Sequence, residues 1–400
     1  MHIFFSVGEP SGDEHAAHLI SEMRKQQPKL RVSGFGGPEM ENVGLESVYR
    51  LTELAVMGLF QAIPMLGKFF SLMKRAERFF AEDRPDAVVL VDFPGFNWWI
   101  ARKAKAAGIP VFYYLPPQLW AWAPWRIERV KKFVDHVLSS LPLERDWYEE
   151  HGVKVHYVGH PFFDEVHEHP LDAKFVELWS HGPPGKTIAV LPGSRGSEIS
   201  RNWPIMIQVI KRLHVKHPDA TFLVACYREK FRRFCLEEVL SVAPSLPVQF
   251  FVGKTSEIIE VADCALMVSG SVSLEMSARK TPAAVLYATS WPTYCIGKLL
   301  VHCEFMSLPN LIGEREIIPE LLSVGNPAPQ IRFLTDALDL WLRLPEERQR
   351  VVDDIEETLG DFIEIGATAR ASDFILAQLS SETSTAEHEV SGETSQPRAA

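Results

Sequence analysis

Four short apolar runs in this chain each end in a small-residue turn that opens a helical pattern, and few folds accept that unit repeated. The runs are Ile3 to Val7 before Gly8, Ala87 to Val91 before Asp92-Phe93-Pro94-Gly95, Thr187 to Leu191 before Pro192-Gly193, and Ala265 to Val268 before Ser269-Gly270. A continuous apolar run of this length suits a strand covered on both faces, whereas a strand with one wet face would alternate. Such strands separated by helical patterns predict an α/β fold built on parallel sheets. The same reading gives strands over Val111 to Leu115, Val134 to Ser139 and Val155 to Val158, then over Thr221 to Ala225, Val248 to Phe251 and Ala283 to Tyr287. Helices are expected over Asp13 to Gln27 and over Asn97 to Ala107, the second closed by Gly108.

A chain of 400 residues exceeds what one hydrophobic core usually serves. The alternation pauses after Gly159-His160-Pro161, in a polar stretch from Glu165 to Lys186, and restarts at Thr187. We therefore expect one Rossmann-like domain over 1–165, a second over 166–335, helices over 336–379, and a disordered Ser/Thr/Glu-rich tail over 380–400. Doubly wound domains facing each other turn the carboxyl ends of their strands toward a shared cleft, where open α/β sheets bind ligands.

Composition removes several function classes. A formal net charge of -11 argues against general attraction to nucleic acid. The five cysteines are odd in number and form no C-x-x-C pair, so neither a disulfide framework nor a zinc site is expected, and a reducing compartment fits. Met1 to Val7 lacks a basic region and a long apolar core, so it reads as a first strand and not as a signal peptide. No apolar run approaches the roughly 18 residues that span a bilayer.

The turns carry the candidate chemistry. In Gly8-Glu9-Pro10-Ser11-Gly12-Asp13, Gly8 and Gly12 let backbone approach a ligand, and the helix start favours an anionic or polar group near Ser11. The spacing is not G-x-G-x-x-G, which disfavours a dinucleotide-dependent dehydrogenase. Asp13 as a helix cap is the plain alternative. Asp92, directly after a buried strand and before a Pro-Gly turn, is placed for general-base work, with helix capping as its competitor. In Pro192-Gly193-Ser194-Arg195-Gly196-Ser197-Glu198, the glycines and the following helix suit an anion, and the forked Arg195 donor suits a diphosphate. Ser269-Gly270-Ser271 with Glu275 reads as a phosphate and ribose contact or as an ordinary helix start. Asn310, in Ser307-Leu308-Pro309-Asn310, is a candidate substrate contact or a turn residue.

Other segments are less decisive. Gln61 to Phe80 sets phenylalanines and Met73 on one helical face among Lys68, Lys74, Arg75 and Arg78, a pattern of core packing or of an amphipathic helix on an anionic membrane. Tyr113 to Trp122 crowds aromatics and prolines into a loop that lines a sugar or acyl site or packs below it. His15 and His18 lack acid partners at metal-ligand spacing and read as packed or solvated. No D-x-D loop of the kind that holds Mg²⁺ on a nucleotide sugar is evident, so neither a metal nor another cofactor is expected.

Taken in order, these segments resemble the lipid-A-disaccharide synthase family, inverting glycosyltransferases of the GT-B fold. The matching stretches are Gly8 to Asp13, Ala55-Val56-Met57-Gly58, Val91 to Pro94 with Phe96-Asn97, Trp120-Ala121-Trp122, Gly159-His160-Pro161, Leu191 to Glu198, Ser269 to Ser271 with Leu274-Glu275, and Ser307 to Leu311. The resemblance implies UDP-2,3-diacylglucosamine as donor, 2,3-diacylglucosamine 1-phosphate as acceptor, and a β-1,6 bond formed at the inner face of the cytoplasmic membrane, where the protein would associate peripherally. It implies Asp92 as the base, Glu9 as an orienting or assisting carboxylate, and Gly193, Ser194, Arg195 and Gly196 at the UDP diphosphate. Glu275 would take the ribose and Asn310 would contribute from its loop. A homo-oligomer is compatible with it. Gly95 stands where many members carry Asp. The competing readings are a UDP-sugar 2-epimerase, which shares the architecture, and a peripheral lipid-binding protein without catalysis.

Overall fold

The structure, a computed structural model, describes residues 1–55, 66–181 and 185–392. The chain forms two compact units, one from Met1–Pro161 together with the segment that begins at Ile365, the other from Phe162–Glu364.

The first unit is a seven-stranded sheet of β1 (His2–Val7), β2 (Arg31–Gly36), β3 (Glu46–Arg50), β4 (Ala87–Val91), β5 (Val111–Tyr114), β6 (His136–Ser139) and β7 (Val155–Tyr157). Its order is β3-β2-β1-β4-β5-β6-β7, and all pairs are parallel. Every residue of β4 is buried, because successive side chains enter opposite cores. Val88 and Leu90 join the layer under helices Leu66–Glu82 and Pro94–Ala106. Ala87, Val89 and Val91 join the layer under helices Pro10–Gln26 and Ala367–Gly392. The order reverses between β1 and β4, where Val7 pairs with Val91. The loops that leave these two strands therefore start side by side.

The second unit repeats the plan with β8 (Thr187–Leu191), β9 (Thr221–Cys226), β10 (Val248–Val252), β11 (Cys264–Met267), β12 (Ala283–Thr289) and β13 (Glu320–Val324). Its order is β10-β9-β8-β11-β12-β13. Here the reversal lies between β8 and β11, with Leu191 paired to Met267.

Three differences from the sequence reading emerge. The unit boundary falls after Pro161 and not after residue 165, because Phe163 packs on Phe362 of the second unit at 5.3 Å between ring centroids. The helices expected over 336–379 do not form one group. Ala328–Arg343 and Pro345–Leu359 bury Leu334, Leu338, Ile355 and Leu359 in the second unit. The last helix instead returns Ala371, Ile375, Leu376 and Leu379 to the first. That helix also continues to Gly392, past the start of the expected disordered tail at 380. Residues 393–400 lie outside the described residues, as do 56–58 of the Ala55–Gly58 motif and 61–65 of the expected amphipathic helix.

The rest of that amphipathic helix turns its apolar face inward. Leu72, Met73, Ala76 and Phe80 are buried, and Phe69 packs on Phe93 and Phe96. Core packing, one of the two readings of the sequence, thus accounts for most of its apolar side chains, leaving Phe70 exposed. No described helix is long and apolar enough to cross a membrane.

Candidate functional site

Asp92 follows β4 in the left-handed region, with φ 45°, and Phe93 adopts the same φ. Neither is glycine or asparagine, so each conformation costs about 1–2 kcal/mol and needs support from its surroundings. Asn97 supplies it. Fully buried in the first turn of the next helix, Asn97 places Nδ2 within hydrogen-bonding distance of the carbonyls of Ser6, Val91 and Asp92, at 3.1, 3.2 and 2.8 Å. Its Oδ1 accepts from Ser6 Oγ at 2.7 Å. The Tyr113 hydroxyl donates to the Asp92 carbonyl as well, at 2.9 Å. These bonds tie the ends of β1, β4 and β5 to one loop and leave the Asp92 carboxylate for other work.

Burial lifts the Asp92 carboxyl above the usual carboxylate range, while the Phe93 N–H and the charge of His15 hold it down. His15, buried on the first helix, sets its ring edge-to-face with His160 at 6.1 Å. A raised pKa makes a carboxylate a stronger base once it is ionised. Asn97, Tyr113 and His15 are supports that the sequence reading did not assign. Asn97 was visible only as part of a motif, and His15 had no acid at local spacing.

Glu9 occupies the N-cap of helix Pro10–Gln26 in extended backbone but makes no capping hydrogen bond with its side chain. Ser11 is exposed. Gly12 is buried where a Cβ would stand 3.1 Å from Val7, so its place is explained by close helix–strand packing. Asp13 does cap a helix, but not its own. Its carboxylate accepts from the N–H groups of Gly37, Glu39 and Met40 at 2.7, 2.9 and 3.4 Å, closing the start of helix Pro38–Asn42.

A second buried carboxyl lies in the same unit. Glu144 is 1% exposed, opens helix Pro142–Glu150, and accepts from Ser139 Oγ at 3.1 Å. Burial pushes its pKa up to about 8, against the pull of Ser139, the Ser140 N–H and Trp120, and with a further push from the charge of Asp92. It is therefore largely protonated at neutral pH. This group carried no signal in the sequence beyond Pro-x-Glu at a helix start.

In the second unit, Gly193, Ser194 and Arg195 leave β8 and Gly196 opens helix Gly196–Lys216. Gly193 has φ +115°, which a residue with a side chain rarely adopts. Glu198 folds back on this turn. One carboxylate oxygen accepts from the Ser194 and Arg195 N–H groups, each at 3.3 Å, and the other pairs with the Arg195 guanidinium at 2.9 Å. A carboxylate thus sits where an anionic ligand would meet these donors. Arg195 remains three-quarters exposed. The turn after β11, adjacent to β8, carries Ser271, exposed, before helix Val272–Ala278. Glu275 is buried and paired with Arg279 at 2.9 Å, whose other arm reaches Glu260 at 2.8 Å.

Asn310 differs from the expectation of a substrate contact. It is fully buried, accepts from the Ile317 and Ile318 N–H groups at 2.8 and 3.0 Å, and donates to the Ile318 carbonyl at 2.8 Å. Its amide is engaged in closing its own loop, the turn role that the sequence also allowed.

A family model described as lipid-A-disaccharide synthetase matches residues 3–349. A lipid-A-disaccharide synthase of Anaeromyxobacter sp. (strain K) is 37% identical over 330 residues, covering 82% of this chain and 85% of that protein. One from Myxococcus xanthus (strain DK1622) is 34% identical over 383 residues, covering 94% and 97%. Among solved structures, the UDP-GlcNAc 2-epimerase from Neisseria meningitidis bound to UDP-GlcNAc is similar with a TM-score of 0.60 at 12% identity, covering 94% of this chain and 98% of that one. CalG4, the calicheamicin glycosyltransferase, is similar at 0.61 and 14%, covering 95% and 98%. At such identities the likeness shows the fold alone, the GT-B arrangement of two Rossmann-like units.

Proposed function

This chain belongs to the lipid-A-disaccharide synthase family, and we propose that it carries out the full reaction as an inverting transferase, joining 2,3-diacylglucosamine from its UDP derivative to 2,3-diacylglucosamine 1-phosphate. The acceptor 6-hydroxyl oxygen attacks the anomeric carbon of the donor, the bond from that carbon to the UDP oxygen breaks, and a β-1,6 linkage forms. The hydroxyl proton passes to the Asp92 carboxylate, and UDP leaves with the bonding electron pair.

The observation that carries this reading is the way Asp92 is held. Its backbone is fixed by Asn97 and Tyr113, its carboxylate is not consumed by those contacts, and its pKa is raised. General bases gain from that combination of fixed position and raised basicity. Glu9, on the neighbouring loop, orients the acceptor, with Ser11 and Gly12 beside it. In the second unit Arg195 and the 193–196 turn stabilise the departing diphosphate, which takes over the donors that Glu198 otherwise holds. Ser271 and Glu275 take the ribose end, Glu275 with its orientation set by Arg279. Because both reactants carry acyl chains, the enzyme works as a peripheral protein at the inner face of the cytoplasmic membrane.

The test is a mass-spectrometric assay of purified protein with donor and acceptor, each dispersed in detergent. Disaccharide and UDP in equal amounts are expected, and Asp92→Asn should lower the rate by about 100-fold or more, in the range of a lost general base. The fold likeness to UDP-GlcNAc 2-epimerases favours one competitor. Epimerised UDP-sugar formed without acceptor, and no disaccharide with it, would replace the transferase reading.

A further inference from the structure

The ten-residue helix Trp291–Leu300 has no buried residue. It is apolar nonetheless. Trp291 is 65% exposed, Ile296 58% and Leu299 80%, and Leu300 and Val301 are exposed as well. Helices apolar on most sides are normally covered, and exposed apolar side chains concentrated on one short helix make it a candidate interaction site.

The segment that carries the helix is poor in acids along the sequence. The chain holds 52 acidic residues, yet none lies between Met276 and Cys303. Lys298 and His302 are the ionisable cation formers of the exposed segment, and Lys298 Nζ lies 6.0 Å from the centre of the Tyr294 ring. Trp291 and Tyr294 pack together, ring centroids 5.2 Å apart. Tryptophan and tyrosine beside apolar side chains and a lysine, without acids, match the boundary between acyl chains and anionic headgroups. The helix starts on a firm footing, since Ser290 caps it through Thr293 at 3.4 Å and Pro292 fixes its first turn. It is held at one end and bare along its length.

We propose that helix Trp291–Leu300 is an interfacial helix that seats the second unit on the surface of an anionic phospholipid bilayer. The apolar side chains of Trp291, Ile296, Leu299 and Leu300 enter the headgroup–acyl boundary, and Lys298 meets lipid phosphate. The helix of residues 66–82 is a weaker candidate, because its apolar face is occupied by the core. The proposal draws on the family reading in one respect, the acyl chains of the reactants, which give the protein a reason to be at a membrane.

Cys295 supplies a probe on this helix, since it is exposed while Cys226, Cys235 and Cys264 are buried. In full-length protein carrying Cys303→Ser, Cys295 is labelled with an NBD fluorophore and mixed with vesicles of phosphatidylethanolamine and phosphatidylglycerol, or of phosphatidylcholine alone. A blue shift and a several-fold rise in emission are expected with the anionic vesicles, and a smaller change with phosphatidylcholine. Ile296→Glu combined with Leu299→Glu should cut co-sedimentation of the unlabelled protein with anionic vesicles by about tenfold or more. Its melting temperature should stay unchanged, because both side chains are exposed. Unchanged NBD emission with vesicles, or equal sedimentation of the double variant, overturns the proposal. Emission that rises with protein concentration in the absence of lipid also overturns it, and assigns the helix to a second copy of the chain. Turnover of detergent-dispersed substrates reports the reaction separately. Turnover retained without vesicle binding rejects the helix assignment alone, whereas vesicle binding without turnover rejects the reaction alone.

Discussion

Asn97 Nδ2 lies 2.8 Å from the carbonyl oxygen of Asp92, so Asn97 holds the loop residue proposed for proton transfer by its backbone and not by its carboxylate. The distinction matters for mutagenesis. Position and protonation of Asp92 rest on different neighbours and are open to separate perturbation.

Asn97→Ala removes the position. It leaves the Asp92 carbonyl to Tyr113 and strips the polar partner from buried carbonyls, at a cost of roughly 1–3 kcal/mol in stability. Turnover should fall by about tenfold or more with little change in KM for either substrate. Asn97→Asp should be worse than Asn97→Ala, because a carboxylate would face the carbonyls of Ser6, Val91 and Asp92. Steady-state kinetics at a temperature where both variants remain folded checks the order.

His15→Gln perturbs protonation instead. The His15 charge lowers the Asp92 pKa, so its removal raises that pKa. With Asp92 as the proposed base, only its ionised form is active, and the acid limb of the kcat/KM profile should therefore move to higher pH. A limb unmoved by His15→Gln would separate the two residues.

Glu144 gives stability its own pH dependence. Its folded pKa of about 8 lies above the ordinary glutamate value of 4.5. The folded state holds the extra proton, so this contribution is complete below the unfolded pKa and is lost as pH rises through the folded one. Between about pH 5 and 8 the loss approaches about 1.4 kcal/mol per pH unit. Glu144→Gln should flatten that slope. Urea denaturation of both proteins at several pH values in this window measures it.

Arg195→Ala tests the proposed diphosphate site with little structural consequence, because its pair with Glu198 is largely solvent-exposed on the arginine side and worth little. Melting should stay within a degree or two, roughly what a loss below 0.5 kcal/mol produces. UDP affinity should fall by about 10- to 100-fold, the scale of one lost charge-assisted bond. Calorimetric titration with UDP provides the reading. Unchanged affinity would take the diphosphate away from this turn.

The strands beside each reversal of order were legible because they are buried on both faces. Ala87–Val91 and Thr187–Leu191 run as the sequence indicates, residue for residue. Strands β2 and β3, at one end of the first sheet, were not. Glu46–Arg50 carries two charged residues and no buried one, and Arg31–Gly36 is broken by glycines, of which Gly34 takes φ +143° to let the Phe5 backbone approach. Candidate positions were legible wherever a strand ended in a turn, which is how Asp92, Glu9 and Arg195 emerge. The partners of those residues were not, since they come from distant chain segments. Asp13 caps a helix 24 residues away in sequence, and Asn310 looks like any other turn asparagine until its three backbone partners are seen.

The left-handed turn at Phe93 has a consequence for anyone rebuilding this protein. It lays the ring against Gly8, where an added Cβ would stand 2.2 Å from Phe93 Cδ1. The two loops therefore behave as a matched lock and key. Grafting either one alone from a relative invites a collision or a gap, so chimeras and directed libraries should transfer residues 8–13 and 92–97 as a single cassette.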